Sequence, residues 1–567
     1  MRRYTRYGFP ALAALVFALA GAAQIDARGS KSRASSRPNV IVIMTDDQTV
    51  ESLRVMKNVR RLLVRQGTTF TNFFASFPLC CPSRATFLTG QYSHNTGVVG
   101  NNYTNGYSRF DQSNTLPLWL KRAGYRTIFV GKYLNDYGKA ARRGFVPPGW
   151  NEWHAAVRVN YLQHSMMEHR RIRYFATAPK DYSTDVYASR GLDAIRRYAP
   201  SKRPFFMWLS FFAPHDGAPR DPDDPPGVLT PSPAPRHRDR FAGVEVPHWP
   251  SLNERDVSDK PADIRRRPLL TEEQLAALQE KYEQRLESLL AVDEAVGKVV
   301  AELRRVKELD RTVIVFTSDN GFLEGQHRVF AGKEMLYEPS IRVPLIMRGP
   351  GIPKRARLSQ LTANVDLAPT IVALARARAD LPPDGRSLLP LLRDPTLDWG
   401  RDLLLERGPG SNPDGPRLYT ALRTPQYVYA EYANGERELY DLATDRDEVR
   451  NLNGAAPTAP LASEFARRLG RLRECVSDFC RVGPQLRLSL SYEGPCAASP
   501  IRARVAGSDD RYLTYVDFVV DGRKTRVSKP PFERVIPEQS APAGGTLRAI
   551  AVLNDGRRVT LDKPVRC

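Results

Sequence analysis

Cysteine is scarce, six residues in 567, and that scarcity excludes a small scaffold held together by disulfides. No apolar run reaches the ~20 residues that a membrane-crossing helix needs. Internal repeats, heptads and low-complexity tracts are lacking as well. Acidic residues are outnumbered, 62 Asp+Glu against 84 Lys+Arg. The resulting formal charge of +22 favours an anionic partner: nucleic acid, anionic lipid, or an acidic small molecule or polysaccharide. The rest is ordinary: 42% hydrophobic and 26% charged residues exclude wholesale disorder and a collagen-like fibre. At ~100–200 residues per domain the length allows roughly three folding units.

Arg2, Arg3 and Arg6 precede an apolar run from Phe9 to Leu19 and the small residues Ala20-Gly21-Ala22. This reads as a secretory signal peptide over 1–22, with a Ser/Arg-rich linker over 23–37, so a secreted or extracytoplasmic protein is expected. Cys475, Cys480, Cys496 and Cys567 all lie near the C-terminus, where an oxidising compartment would pair them. Of three connectivities we expect Cys475 with Cys480 and Cys496 with Cys567, the second pair closing a C-terminal module at its two ends. Cys80 and Cys81 are adjacent, which disulfide geometry disfavours, and they need another explanation.

Val40 to Met44 is a continuous apolar run, and Thr127 to Val130, Phe205 to Phe212 and Val313 to Phe316 resemble it. Such runs suit strands buried on both faces of a parallel sheet. A helix begins at Thr271, capped with Gln274 three residues on, and carries an apolar stripe from Leu275 to Leu303. Strands alternating with helices predict an α/β sandwich with a mostly parallel sheet over 38–400. The proline- and charge-rich stretch from Asp216 to Leu269 has no period and is expected to be a substrate-facing lid. A small antiparallel subdomain with one helix is expected over 401–474, and an immunoglobulin-like β-sandwich over 484–567.

Each buried strand is followed by a polar cluster: Asp46-Asp47, Gly131-Lys132, Pro214-His215 and Asp319-Asn320. Ligands of open α/β sheets bind beyond the carboxyl ends of the strands. Asp46, Asp47, Asp319 and Asn320 are hard oxygen donors that suggest calcium or magnesium and not zinc. On those residues alone, plain strand-end turns explain them equally well.

Cys80-Cys81-Pro82-Ser83-Arg84, followed by Leu88-Thr89-Gly90, decides between them. Here the chain resembles the sulfatase family, whose C-x-P-S-R signature it matches without a gap. Gly124-Tyr125-Arg126-Thr127, Gly131-Lys132, Ala213-Pro214-His215, Asp319-Asn320-Gly321, Gly332-Lys333 and Glu438-Leu439-Tyr440-Asp441-Leu442 follow in the family's order, so the resemblance covers roughly Pro38 to Leu452. It implies an alkaline phosphatase-like fold and conversion of Cys80 to Cα-formylglycine by a separate generating enzyme. One hydroxyl of the hydrated aldehyde attacks sulfur, and the other expels sulfate as the aldehyde re-forms. It also implies a divalent cation, Ca2+ or Mg2+, on Asp46, Asp47, Cys80, Asp319 and Asn320. By the same resemblance Arg84 holds the formylglycine and the carboxylates, Lys132 and Lys333 neutralise sulfate oxygens, and His215 and Lys333 protonate the leaving alcohol.

One position departs from the pattern. Many sulfatases have histidine two residues after the lysine of Gly-Lys, where this chain has Leu134, which leaves the base for sulfate elimination unassigned. Gly131-Lys132-Tyr133-Leu134-Asn135 is instead similar to N-acetylglucosamine-6-sulfatases of glycosaminoglycan breakdown. His94 and His327 could serve as base or could be structural. The expected activity is therefore hydrolysis of O-sulfate esters, with a sulfated sugar as substrate and no nucleic-acid partner. The alternatives are a broad arylsulfatase, a phosphonate or phosphate ester hydrolase of the same superfamily, and a non-catalytic polyanion-binding relative.

Overall fold

In the strand Asn39–Thr45 (β1), alternate side chains enter opposite cores: Ile41 and Ile43 one, Val40, Val42 and Met44 the other, all buried. A period of two with both faces apolar fits only an interior strand. Arg126–Gly131 (β2), Phe205–Ser210 (β3) and Thr312–Ser318 (β4) divide their side chains the same way. The computed structural model describes residues 37–567 except 169, 202, 398, 410–414, 416, 482–485, 493–498, 507–512, 521, 538–544, 554–557 and 566–567. The expected signal peptide, nearly all of the linker and the expected Cys496–Cys567 pair lie outside the described residues.

The four strands are parallel neighbours in the order β4-β1-β3-β2 at the centre of a ten-stranded sheet. Glu152–Arg158 extends it in parallel beyond β2, and Leu345–Arg348 joins β4 antiparallel. Helices cover both faces. Cys80–Thr89 (α1), Leu116–Arg122 and Leu367–Ala375 pack on one side. Ser183–Tyr198 and Glu272–Arg305 (α2) pack on the other. The expected capping box starts α2: the Gln274 amide donates to Thr271 Oγ1 at 3.2 Å and the Thr271 amide to Gln274 Oε1 at 3.0 Å.

The stretch from Asp216 to Leu269, expected to be a lid, begins at the pocket wall with Asp216 and then runs along α2. It contains one short helix, Ala262–Arg265, and a single turn of 3-10 helix at Pro235–His237. Its other amides need partners, as any buried backbone does. Those of Phe241, Gly243 and Val246 donate to Glu287, Glu283 and Gln279 of α2, so the stretch braces that helix.

Beyond residue 400, the strands Leu403–Arg407, Tyr419–Arg423, Tyr427–Tyr432 and Arg437–Asp441 form an antiparallel sheet. Helix Ala459–Leu472 packs on it through Phe465, Leu469 and Leu472. Cys475 and Cys480 are disulfide-bonded, as expected. A three-stranded and a four-stranded antiparallel sheet follow, facing each other through Leu488, Val505, Val516, Phe518 and Ala549, the appended sandwich that the alternating pattern predicts.

Candidate active site

The ends of β1, β2 and β4 place Asp46-Asp47, Lys132 and Asp319-Asn320 along one edge of the sheet. Asp47 turns the chain with φ 66°, a conformation that aspartate tolerates better than most side chains. Its amide donates to Asp319 Oδ1 at 3.2 Å, which ties two strand ends together. Cys80 opens α1, and Arg84 follows one turn later on the same face. Both are wholly buried.

The residues expected to catalyse or to hold the metal converge there. Cys80 Sγ lies 3.4 Å from Asp46 Oδ1, 3.5 Å from Lys132 Nζ and 3.0 Å from Lys333 Nζ. Lys132 also pairs with Asp46, and Lys333 Nζ is 2.5 Å from Asp47 Oδ1. Arg84 donates to Asp319 Oδ2 at 2.7 Å and to Asp46 Oδ2 at 3.2 Å. His215 Nε2 stands 3.7 Å from Asp47 Oδ2. Only Lys333 and His215 keep noticeable side-chain exposure, 14% and 28%, which marks the open side. A pocket of about 380 Å3, bounded by Lys132, Tyr133, Phe212, His215 and Asp216, leads away from it.

Charge is finely balanced here. Burial works to raise Asp46, but Lys132, His215, Arg84 and Lys333 hold its carboxyl far below the usual range. Asp319 is raised by burial and by Asp46. Burial, reinforced by Asp46, pushes the Cys80 thiol up to about 12. An unmodified Cys80 is therefore a neutral thiol at physiological pH and a poor nucleophile. Burial holds His215 below its ordinary value. Lys333 lies well above its own: burial opposes the charge, but Asp47 and its other anionic neighbours prevail.

The family whose description is Sulfatase matches residues 38–377, and that of the N-sulphoglucosamine sulphohydrolase C-terminal region matches 325–475. The chain belongs to the sulfatase family. It is accordingly a sulfuric ester hydrolase. It is 33% identical to the N-acetylglucosamine-6-sulfatase of Homo sapiens over 79% of this chain and 86% of that one. It is 34% identical to an arylsulfatase of Volvox carteri over 79% and 76%. Among solved structures, BT4656 in complex with its substrate D-glucosamine-2-N,6-O-disulfate superposes with a TM-score of 0.64 at 24% identity, covering 77% of this sulfatase and 98% of that chain. The phosphonate monoester hydrolase of Agrobacterium radiobacter superposes at 0.58 and 21%, over 77% and 95%; at these identities the likeness carries the fold.

Sulfatases imply a formylglycine and a divalent metal, and the donor set of this one fits such an ion. Ligand atoms of Asp46, Asp47, Cys80 and His215 lie within 4.8 Å of one another. Asn320 is fully buried; its Nδ2 donates to Asp47 Oδ1 at 2.7 Å, while its Oδ1 has no hydrogen-bond partner. A buried amide oxygen without a partner is costly unless something positive meets it.

Other expected residues stand elsewhere. His94 bonds to Glu406 and the Cys475 carbonyl, and His327 is stacked on Tyr337 and bonded to Glu254 at 2.7 Å. Both are held in structural contacts that do not involve Cys80. Leu134 lines the pocket wall. The sequence reading missed Ser210 Oγ, 2.8 Å from Arg84 Nη1, and Arg285 of α2. Arg285 donates to the carbonyls of Asp47 and Pro214 and pairs with Glu324 at 2.7 Å, joining two of the turns that build the site. A charged residue inside the apolar stripe of α2 was its available signal.

Proposed function

We propose that the enzyme removes the 6-O-sulfate of glucosamine-type units in a sulfated sugar, and that it is exported and works with Cys80 as formylglycine and with calcium. The observation that carries the reading is the position of Cys80 Sγ, between one carboxylate and two ammonium groups. The 6-sulfatase named among its relatives supports the substrate. Among the described residues no helix is long and apolar enough to cross a membrane, and relatives named extracellular sulfatases support export.

Asp46, Asp47, Asp319, Asn320 and residue 80 would hold the cation. It supplies Lewis-acid polarisation of a sulfate oxygen and acidifies a hydroxyl. The aldehyde hydrate supplies a nucleophile whose second hydroxyl allows release without attack by water. Lys132 and Lys333 bind sulfate oxygens as negative charge develops. Lys333 keeps its proton at neutral pH and sits on the open side, so it donates to the leaving oxygen, while neutral His215 orients the ester there. Arg84 fixes Asp46 and Asp319.

Peptide mass spectrometry across Cys80, with parallel kinetics on sugar 6-sulfates and on aryl sulfate, phosphate and phosphonate esters, tests this reading. The expected result is an aldehyde at position 80 and the highest kcat/KM on the sulfated sugar. Preference for phosphorus, or an unconverted thiol in active enzyme, overturns it.

A further inference from the structure

The pocket at Lys132 and His215 also takes in Lys139 and Arg142. These two side chains line a second, larger pocket of about 800 Å3 as well. The walls of the outer pocket add Tyr103, Tyr107 and Phe145, with Arg143 and Arg170. No carboxylate is among its lining residues. Lys139 is matched by Asp136 at 3.1 Å and lies 4.7 Å from the centre of the Tyr103 ring. Arg142, Arg143 and Arg170 have no ion pair among the described residues and are exposed. Cations of one sign in a concave wall attract and concentrate anions. Tyr103 and Phe145 leave 38% and 39% of their surface in water, giving flat apolar faces beside those cations, the usual mixture of a pocket that both packs and orients a ligand.

We propose that the outer pocket is a subsite for a second anionic sugar unit, so that the preferred substrate is a polyanionic oligosaccharide and not an isolated sulfated monosaccharide. This rests on the reading that a sugar sulfate is cleaved at Cys80. Lys139 and Arg142 bridge the two pockets and contact the linkage, Arg143 and Arg170 pair with sulfate or carboxylate groups of the next unit, and the aromatic rings cover its apolar face.

The test measures kcat/KM of the holoenzyme on glucosamine 6-O-sulfate, on a tetrasaccharide ending in that unit with sulfates on the following units, and on the same tetrasaccharide without those extra sulfates. The highly sulfated chain should be preferred, through a lower KM. In the double variant Arg143→Ser/Arg170→Ser its advantage over the monosaccharide should shrink roughly fivefold, since each exposed ion pair is worth a few-fold in affinity. The readout is a ratio within one preparation, so partial misfolding cancels. Equal kcat/KM on all three substrates, or an advantage that survives the double variant, overturns the subsite alone. Turnover of aryl sulfate with none of any sugar overturns the sugar reading and the subsite with it.

Discussion

Replacing Arg84 by methionine removes the guanidinium that holds the reactive edge of the sheet together. That group makes five hydrogen bonds, to Asp319 Oδ2, Asp46 Oδ2, Ser210 Oγ and the carbonyls of Lys132 and Tyr133. Both of its ion pairs are fully shielded from water. Removing one partner of a buried pair costs about 3–5 kcal/mol because it strands the other charge. Each carbonyl left unpaired adds about 1–3 kcal/mol unless water reaches it. Against a net stability of about 5–15 kcal/mol, Arg84→Met should sit near the edge of folding. Arg84→Lys keeps the charge but has only three donors on a single nitrogen and cannot reproduce the planar fork that makes all five bonds. It should recover much of the stability while losing about 10–100-fold in kcat/KM or metal affinity, the usual cost of removing a group that orients metal ligands. Urea unfolding of the holoenzyme followed by tryptophan fluorescence, beside aryl sulfate turnover, measures both. If Arg84→Met unfolds within about 1 kcal/mol of the parent, or Arg84→Lys is fully active, the guanidinium does not organise the site as described.

Cys80→Ala should abolish turnover and leave unfolding nearly unchanged, whereas appreciable residual activity would contradict the nucleophile assignment. Asp319→Asn should make activity sensitive to weaker chelators; an unaltered chelator titration would remove Asp319 from the metal set. Thr271→Ala should cost about 1 kcal/mol through loss of the cap on α2, read as a lower urea midpoint, and an unmoved midpoint would show the cap to be idle. Burial, opposed by the Phe241 amide and aided by Asp239, pushes Glu287 up to about 7 from its ordinary 4.5. The folded chain then holds a proton that the unfolded chain has lost. Its contribution is complete below about pH 4.5 and disappears as the pH rises through about 7. Glu287→Gln should therefore flatten the fall of Tm between pH 5 and 8, and parallel curves for the two proteins would refute the linkage.

The central sheet was legible because its strands are uninterrupted apolar runs, and a run buried on both faces has few alternatives. The site was legible because polar clusters follow those runs immediately, so the sheet itself brings Asp46, Lys132 and Asp319 together. Lys333 was found only through its motif, since it follows no strand. Ser210 and Arg285 were missed for a shared reason: their partners, a distant guanidinium for one and backbone carbonyls with Glu324 for the other, leave no local spacing to read. The bracing of α2 by the stretch after Asp216 was not legible, because it rests on carbonyl and carboxylate partners more than thirty residues away in sequence.

Cys80 has no solvent exposure and is walled in by side chains from positions as far apart as 46 and 333. An enzyme that oxidises this thiol can reach it only while the polypeptide is still open. On the proposed function, conversion and folding therefore compete in time, a molecule that closes first keeps an inert thiol, and the specific activity of a preparation would report on that race as well as on the catalyst.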